Sequence, residues 1–315
     1  MRKPKLHNRI GRSMVTLPFS ALLALALWWL PQGGYSHSYM ASLLLVGLTA
    51  YVLIETNNSN VLFRIRSRMM SSFWLFAMGC IGLYHPFQPA MVAAFCLSVS
   101  YYLLFRNYQQ TQNAAGIFHV FVMLSVGAVA YPPLICYAPF FLWYLLVFMR
   151  AISFRGLLAA LIGLICPFWF WMGYLLWKED LQPLVDWWVA FPHFFSLPSS
   201  SQLFQSSPLH LSWFVIGFLA LWSSMYYLQH SYDDKIKVRM ILYVYVCQSI
   251  LTLLFVVFQP QHLSPMLPIM LLNCSPLVAH YFTLRNTWVA LVVFCLSALA
   301  FGFLGVLTLL HLVNP

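Results

Sequence analysis

The sequence predicts an all-α fold: a polytopic bundle of about eleven transmembrane helices, with a cytoplasmic N-terminus and an interfacial helix in one long outer loop. Of the 315 residues, 62% are apolar, and only 16 basic and 6 acidic side chains are present. A soluble chain of this length would carry about 80 charged residues, so this one cannot build a polar surface. Its apolar residues also form runs of membrane-spanning length. These features exclude a secreted disulfide scaffold, a disordered chain and a soluble nucleic-acid binder.

Eleven apolar runs are candidate spans, because about 20 apolar residues cross the hydrocarbon core as a helix. They cover residues 14–30, 39–55, 71–85, 90–105, 116–131, 134–150, 157–177, 209–229, 240–258, 263–282 and 287–312. The first run follows a basic segment but lacks a clear small-x-small cleavage site, so we interpret it as a retained helix. The third to sixth runs are short. We expect them to form two pairs joined by proline-containing outer turns, which need not cross fully.

The basic residues predict the orientation of these spans. With the N-terminus inside and strict alternation, 15 of the 16 basic residues lie in inner segments, and only Lys178 lies outside. Basic residues accumulate in cytoplasmic loops, so this pattern predicts an odd number of spans and an outer C-terminus. The net charge of +10 is therefore a topology signal, and the expected partner is the lipid bilayer rather than nucleic acid.

A single integral membrane domain, 1–315, is predicted, with one sizeable extracytoplasmic loop at 178–208. Within that loop we expect a short helix that ends before Pro192. It is too short to span and too apolar to be solvated, so it should lie at the outer headgroup level. Its aromatic residues either anchor the chain at the interface or form a lid over a substrate cavity. In the second interpretation Trp187, Trp188 and His193 contact the substrate.

Two inner loops carry charge clusters. Arg64, Arg66 and Arg68 follow Glu55, which we expect to pair with one of them. This cluster either binds a phosphate or an anionic lipid headgroup from the inner leaflet or only sets the topology. In the other loop we expect Asp233 and Asp234 to be solvated and paired with the basic residues that follow them.

Polar groups within the predicted spans are few. Gln248 lies in the ninth span and Asn273 in the tenth, and no span holds the buried charges that are typical of ion-coupled pumps. Three prolines predict that the tenth span is kinked or broken (Pro265, Pro268 and Pro276). A broken helix is typical of a transport pathway, in which Gln248 and Asn273 would bind the substrate. Alternatively, both side chains stabilise helix packing without any other role.

The sequence contains no evident cofactor or metal motif. The ten histidines form no HxxH, HxxHH or HExxH spacing, and the seven cysteines form no CxxC pair. No Walker A, Rossmann or GxSxG motif is present. We therefore predict no bound cofactor or metal and no required disulfide.

One stretch resembles a known layout. It runs from Tyr131-Pro132-Pro133 through Arg150 and Arg155-Gly156 to a helix with Gly163 and Pro167, followed by an aromatic outer segment. Over residues 60–200 this is similar to uncharacterised bacterial multi-pass envelope proteins and to GT-C-type glycosyltransferases. The resemblance implies a bacterial inner (plasma) membrane location and a lipid-linked sugar donor handled at the outer face.

The chain departs from the GT-C pattern in the first outer loop, where those enzymes carry a catalytic acid. Residues 31–38 contain no acid. If the resemblance extends to catalysis, His37 would serve as the base and Asp186 would replace the missing carboxylate.

Three hypotheses follow: a GT-C-like protein acting on a lipid-linked envelope precursor, a transporter or flippase, and a non-enzymatic membrane scaffold. The oligomeric state is left open.

Overall fold

A computed structural model describes residues 5–29, 37–65, 67–193 and 208–313. In those ranges the chain forms thirteen α-helices and no β-strand. They are α1 (Leu6–Arg12), α2 (Thr16–Trp29), α3 (His37–Asn60), α4 (Met69–Cys80), α5 (Pro89–Arg106), α6 (Ala114–Ala130), α7 (Ala138–Val147), α8 (Phe154–Trp177), α9 (Gln182–His193), α10 (Pro208–His230), α11 (Ile236–Phe258), α12 (Leu263–Leu284) and α13 (Trp288–Val313).

The helical runs predicted from hydropathy are confirmed, because each of the eleven runs falls on one of these helices. Seven helices are long and apolar enough to cross a bilayer, or eight if the bent pair α1–α2 forms one span. The helices α4 and α6 and the segment 132–147 are apolar but shorter than a membrane-spanning helix. The bundle is compatible with a multi-pass membrane protein, and the number of eleven crossings stays a prediction.

Helix α12 forms the centre of the bundle. It packs against α1, α4, α5, α10 and α11, and 94% of its apolar window is buried. It runs without a break from Leu263 to Leu284 with Pro268 and Pro276 inside it, so of the two predicted alternatives, a kinked or a broken helix, the break is absent. A proline inside a helix leaves a backbone carbonyl of the preceding turn without its hydrogen-bond donor. Because α12 is surrounded by other helices, its neighbours can shield such groups or form hydrogen bonds with them.

Apolar side chains point outward from three other long helices. Only 28% of the apolar window of α3, 17% of that of α8 and 28% of that of α13 is buried. Large exposed side chains such as Ile165 and Phe170 on α8 and Leu299 on α13 cover these faces. Such a surface is stable against lipid but not against water.

Small residues determine which helices pair. A Cβ atom on Gly163 of α8 would come within 2.6 Å of the Phe118 carbonyl oxygen on α6. The Ser125 hydroxyl of α6 donates to the Leu164 carbonyl at 2.6 Å. These close approaches pack α6 against α8, while α5 packs against α6 and α4 against α2. The expected pairs α4–α5 and α6–α7 do not pack extensively along each other, because small residues favour other partners.

Loop contacts divide the bundle into two ends. The first is the basic end, where five loop segments meet each other or α1: 61–65 with 67–68, 107–113, 148–153, 231–235 and 285–287. The contacts there join Arg64 to Asp234, Gln109 to Met149, and His7 to Arg285. At the opposite end, contacts join Phe87 to Ser38, Tyr131 to His262, and Trp213 to Leu263. In each contact both partners belong to segments that strict alternation of the spans puts on one side.

The short helix α1 closes the basic end of α12. It meets α2 at an angle of 90°. The Asn8 amide donates to the carbonyls of Phe282 (3.2 Å), Thr283 (3.1 Å) and Arg285 (3.1 Å). The His7 Nε2 atom lies 2.7 Å from the Arg285 carbonyl oxygen. The last carbonyls of a helix have no intrahelical hydrogen-bond donor. Asn8 and His7 of α1 supply such donors at the end of α12.

We predict that Gly163→Ala lowers the melting temperature of the purified protein by several degrees. The added methyl group meets backbone rather than a flexible side chain, and overpacking of this kind costs about 1–3 kcal/mol. The matched control is Gly173→Ala in the same helix, where a Cβ atom would meet nothing within 4 Å. Thermal unfolding in detergent measures both variants, and equal melting temperatures would contradict close α6–α8 packing.

Candidate functional site

A buried ionic cluster lies at the basic end of the bundle. The Asp234 side chain is 4% exposed and accepts hydrogen bonds from two elements distant in sequence. Arg64 Nε donates to Oδ1 at 3.0 Å, and His280 Nε2 lies 2.9 Å from Oδ2. A second Arg64 nitrogen donates to the Asp233 carbonyl. Asp234 thus joins the loop after α3 to the last turns of α12.

Three side chains at this end of the bundle carry unpaired polar atoms. The Tyr227 ring of α10 meets the His280 ring edge-on, with centroids 5.0 Å apart. The Tyr227 hydroxyl, His280 Nδ1 and Arg239 Nε are buried without a hydrogen-bond partner. Burial alone would raise the pKa of Asp234, but the hydrogen bonds and charges of His280 and Arg64 outweigh it and hold this pKa below its usual value. Asp234 therefore ionises more readily than an ordinary aspartate.

Several predictions about these charges were wrong. Asp234 is buried and bonded to Arg64 and His280 rather than solvated and paired with the lysines that follow it, whereas Asp233 is exposed. Arg64 pairs with Asp234, so it is not the partner expected for Glu55, and a pairing of Glu55 with Arg66 lies outside the described residues. Asp234 lies in the loop between α10 and α11, outside the predicted spans, so the expectation that no span holds a buried charge is not contradicted by it. Nothing local in the sequence signals it, because 46 residues separate Asp234 from His280.

The arginine cluster predicted to bind an anionic headgroup is divided. Arg64 is held by Asp234, although its side chain stays 53% exposed. Arg66 lies outside the described residues. Arg68 precedes α4, and its carbonyl accepts hydrogen bonds from the Ser71 and Ser72 hydroxyls. Arg68 is partly exposed, and the next residue, Met69, lines the cavity described next.

An apolar cavity of about 490 Å³ lies in the angle between α1 and α2. Its walls come from α1, α2, α4, α12 and α13. The lining residues are Ile10, Ser13, Val15, Thr16, Phe19, Ser20, Met69, Ser72, Phe73, Phe76, Phe282, Phe294, Ser297, Ala298 and Phe301. Val15 and Phe19 are 68% and 64% exposed, so this wall lies at the surface of the bundle. Cavities of about 300–1,000 Å³ accommodate small-molecule ligands.

The two polar residues predicted within spans belong to one buried cluster. The Tyr101 hydroxyl donates to Asn273 Oδ1 at 2.8 Å, and Asn273 Nδ2 donates to the Thr252 hydroxyl at 3.0 Å. The Thr252 hydroxyl donates to the Gln248 carbonyl at 2.7 Å. The cluster joins α5, α11 and α12 through side chains that are at most 1% exposed.

Two further tyrosines complete this cluster. The Tyr144 hydroxyl donates to Gln248 Oε1 at 2.7 Å, and the Tyr137 hydroxyl lies 2.8 Å from the Thr252 hydroxyl. Asn273 has both polar atoms paired within the protein, as expected of a group that stabilises helix packing in lipid. Gln248 Nε2 is buried without a partner. The geometry favours the packing interpretation over a substrate pathway through these two residues.

The outer residues proposed for catalysis and substrate binding are not brought together by the contacts of α9. Asp186 is exposed and accepts a hydrogen bond from Gln182 one turn earlier at 3.0 Å. Trp187 is 8% exposed, and its indole donates to the Ala128 carbonyl at 3.2 Å, whereas Trp188 is 63% exposed. His37 is exposed at the first residue of α3.

His193 ends α9, and the placement of its side chain lies outside what the structure describes. The predicted outer helix is present, although it continues past Pro192. The Trp187 hydrogen bond and the edge-on contact of its ring with that of Phe168, whose centroids lie 5.1 Å apart, attach one face of α9 to α6 and α8. This geometry holds α9 against the bundle, and the two interpretations of its aromatic residues, interface anchor and lid, both stay predictions.

Comparison with protein-family models, with curated protein sequences and with solved structures gave no match for this chain. Among the described residues no group of three or more His, Cys, Asp or Glu side chains is placed to hold a metal ion. The architecture is that of a helical bundle compatible with a membrane-embedded, multi-pass protein. Its function is therefore argued from its own geometry.

We predict that Asn273→Leu destabilises the protein, because it leaves the buried Tyr101 hydroxyl without its acceptor and removes the amide that donates to Thr252. Each unpaired buried group costs about 1–3 kcal/mol, although partners in the membrane-unfolded state reduce the measured effect. A double-mutant cycle with Tyr101→Phe should give a coupling free energy of about 0.5–2 kcal/mol in reversible denaturation. The control is Tyr245→Phe, which removes the hydroxyl of a neighbouring ring, 5.0 Å from that of Tyr101. In a cycle with Asn273→Leu its effect should be additive. Additive effects of Asn273→Leu and Tyr101→Phe would contradict this hydrogen bond.

Proposed function

We propose that this chain is a multi-pass membrane protein that binds an anionic lipid at the basic end of its bundle. One chain of the lipid would occupy the cavity between α1, α2, α4 and α13, with its headgroup against the basic residues at the cavity edge. The observation that carries the proposal is the juxtaposition of a cavity of about 490 Å³, lined almost wholly by apolar atoms, with the basic helix α1.

The apolar lining defines which part of the ligand enters. A lipid chain loses no apolar surroundings when it passes from the bilayer into this cavity, because lipid tails are as apolar as the lining side chains. The exposed Val15 and Phe19 lie where such a chain would enter from the side. Chain insertion alone therefore fills the cavity but contributes little selectivity.

The charges define the headgroup. Arg9 and Arg12 occupy the last turn of α1 and are exposed, and each adjoins a lining residue, Ile10 or Ser13. Arg68 adjoins Met69, another lining residue. If α2 crosses the bilayer, the 90° bend places α1 along the membrane surface at headgroup depth. Each basic residue there favours an anionic lipid by about 1 kcal/mol.

We also propose that the basic end faces the cytoplasm and that the membrane is the bacterial inner membrane. A lipid-linked sugar or envelope precursor bears phosphate on a lipid chain, so it belongs to the proposed ligand class. Transfer chemistry of the GT-C type would need an acid or base at the outer face. The outer carboxylates Glu179, Asp180 and Asp186 are all exposed, which lends no support to it.

We expect Ala298→Trp to reduce retention of phosphatidylglycerol at least several-fold, because the indole would fill the cavity. The protein is purified from vesicles containing equal amounts of phosphatidylglycerol and phosphatidylcholine, and the bound lipid is counted by native mass spectrometry. The matched control is Leu299→Trp, one residue along α13, where the native side chain is 70% exposed. A melting temperature measured on each variant separates lipid loss from unfolding.

The paired variant Arg12→Gln with Arg68→Gln tests the headgroup. It should reduce phosphatidylglycerol retention to the level of phosphatidylcholine and leave phosphatidylcholine retention unchanged, because only the anionic headgroup interacts with these charges. The proposal fails if the wild-type protein retains no lipid, or if Ala298→Trp and Leu299→Trp retain equal amounts.

A further inference from the structure

The cavity of the proposed lipid site lies between α2 and α13, and both helices pack against α4. Each of the three helices begins at the basic end and runs away from it. The lining extends from Met69 to Phe76 on α4 and from Phe294 to Phe301 on α13. Seven residue steps advance about 10 Å along a helix, so the cavity reaches from the basic end toward the middle of the bundle.

Two close helix contacts lie at the far end of the cavity. A Cβ atom on Gly79 of α4 would lie 2.9 Å from the Ala24 Cα atom of α2. A Cβ atom on Gly305 of α13 would lie 3.6 Å from the sulfur of Cys80, the next residue of α4. Ala24 and Cys80 are each 2% exposed. We call these four residues the closed end, because α2 and α13 both meet α4 there at the same height.

The packing continues on both sides of the closed end. Toward the cavity, the Phe301 ring meets the Phe73 ring edge-on, with centroids 5.8 Å apart. Toward the opposite end of the bundle, the Trp28 ring of α2 lies 4.1 Å from that of His85, and α13 packs against the turn at 82–84. The cavity is therefore bounded away from the basic end by helices that stay in contact.

The hydroxyl groups of the lining are already used within the protein. Ser20, Ser72 and Ser297 each donate at 2.9 Å to a carbonyl oxygen of their own helix. The Thr16 hydroxyl donates to the Ile10 carbonyl. A buried polar group without a hydrogen-bond partner is unfavourable, so this wall favours hydrocarbon and leaves the headgroup at the edge with the basic residues.

We propose that the cavity holds only the first part of one lipid chain, taken from the leaflet at the basic end, and that the closed end sets the length held. This inference rests on the proposed lipid function. The hydrocarbon core is about 30 Å thick, so a chain that fills one leaflet reaches about 15 Å. The cavity is only about 10 Å long.

The end of the chain then leaves through the lipid-facing side of the cavity, past Val15 and Phe19, which are 68% and 64% exposed. The site accordingly selects a lipid by its headgroup and by the part of the chain next to it. It is indifferent to the end of the chain, which stays among other lipids. Gly79 and Gly305 are the specificity-determining residues, because they let α2 and α13 approach α4.

Two photoactivatable phosphatidylglycerols test this arrangement, one with a diazirine near the headgroup and one with it at the last carbon atoms of the chain. Every residue of α4 except Phe76 is buried, so labelling of α4 reports lipid inside the cavity rather than lipid around the bundle. In the wild-type protein in nanodiscs, the probe near the headgroup should label α4 several-fold more than the terminal probe. Fragment masses identify the labelled helix.

Gly79→Ala tests the closed end. The added methyl group meets the Ala24 backbone, so α2 must move away from α4, and the terminal probe should label α4 several-fold more than in the wild type. The matched control is Gly302→Ala on α13, where a Cβ atom would meet nothing within 4 Å. Its labelling ratio should equal that of the wild type. If Gly79→Ala does not fold, the comparison of the two probes in the wild-type protein decides.

Equal labelling of α4 by the two probes in the wild type, or an unchanged ratio in folded Gly79→Ala, overturns the closed end while leaving lipid binding intact. Failure of the proposed lipid function looks different. In that case neither probe labels α4, or the labelling survives Ala298→Trp, which fills the cavity.

Discussion

In a lipid environment each polar group must find its partner within the protein, and this constraint bears most heavily on α12. The helix is buried along its whole length and contains Pro268 and Pro276. Its polar side chains pair with three separate elements: Asn273 with Tyr101 and Thr252, and His280 with Asp234. Its final carbonyls are bonded by Asn8. The surrounding helices are therefore positioned by the hydrogen-bond partners that the buried polar groups of α12 require.

The end of α12 explains the bend of the N-terminal segment. A helix that ends inside a bundle has carbonyls that water cannot reach, so another element must supply donors. Helix α1 does so by lying across that end, and Gly11 lets it approach to the point where an added Cβ would lie 3.3 Å from the Thr283 hydroxyl. Because α1 is held there, α2 must leave at 90°, and the cavity is the space left inside this angle.

The sequence predicted the helices because each depends on a local run of apolar residues. It also identified Gln248 and Asn273, since a polar residue within such a run is visible without knowing its neighbours. The sequence could not predict which distant residues contact each other in the fold. The Gly163–Phe118 approach, the Asp234–His280 pair and the cavity all depend on residues far apart in the chain, and local pattern carries no signal for them. Asp234 was misjudged because adjacent lysines offered a simpler partner.

The basic end combines a buried charge with an apolar cavity, and the same few contacts hold both. Arg64 binds Asp234 on one side of the end of α12, while Ser67 of the same loop binds Gly11 on the other. Thr283 and Phe282 follow His280 on the helix, so one turn of α12 contributes to the ionic cluster, to the α1 contact and to the cavity wall. Arg64 and Ser67 thus connect the ionic cluster to the α1 contact over a short stretch of one loop. Arg64 is the exposed partner of the cluster, whereas Asp234 and His280 are buried.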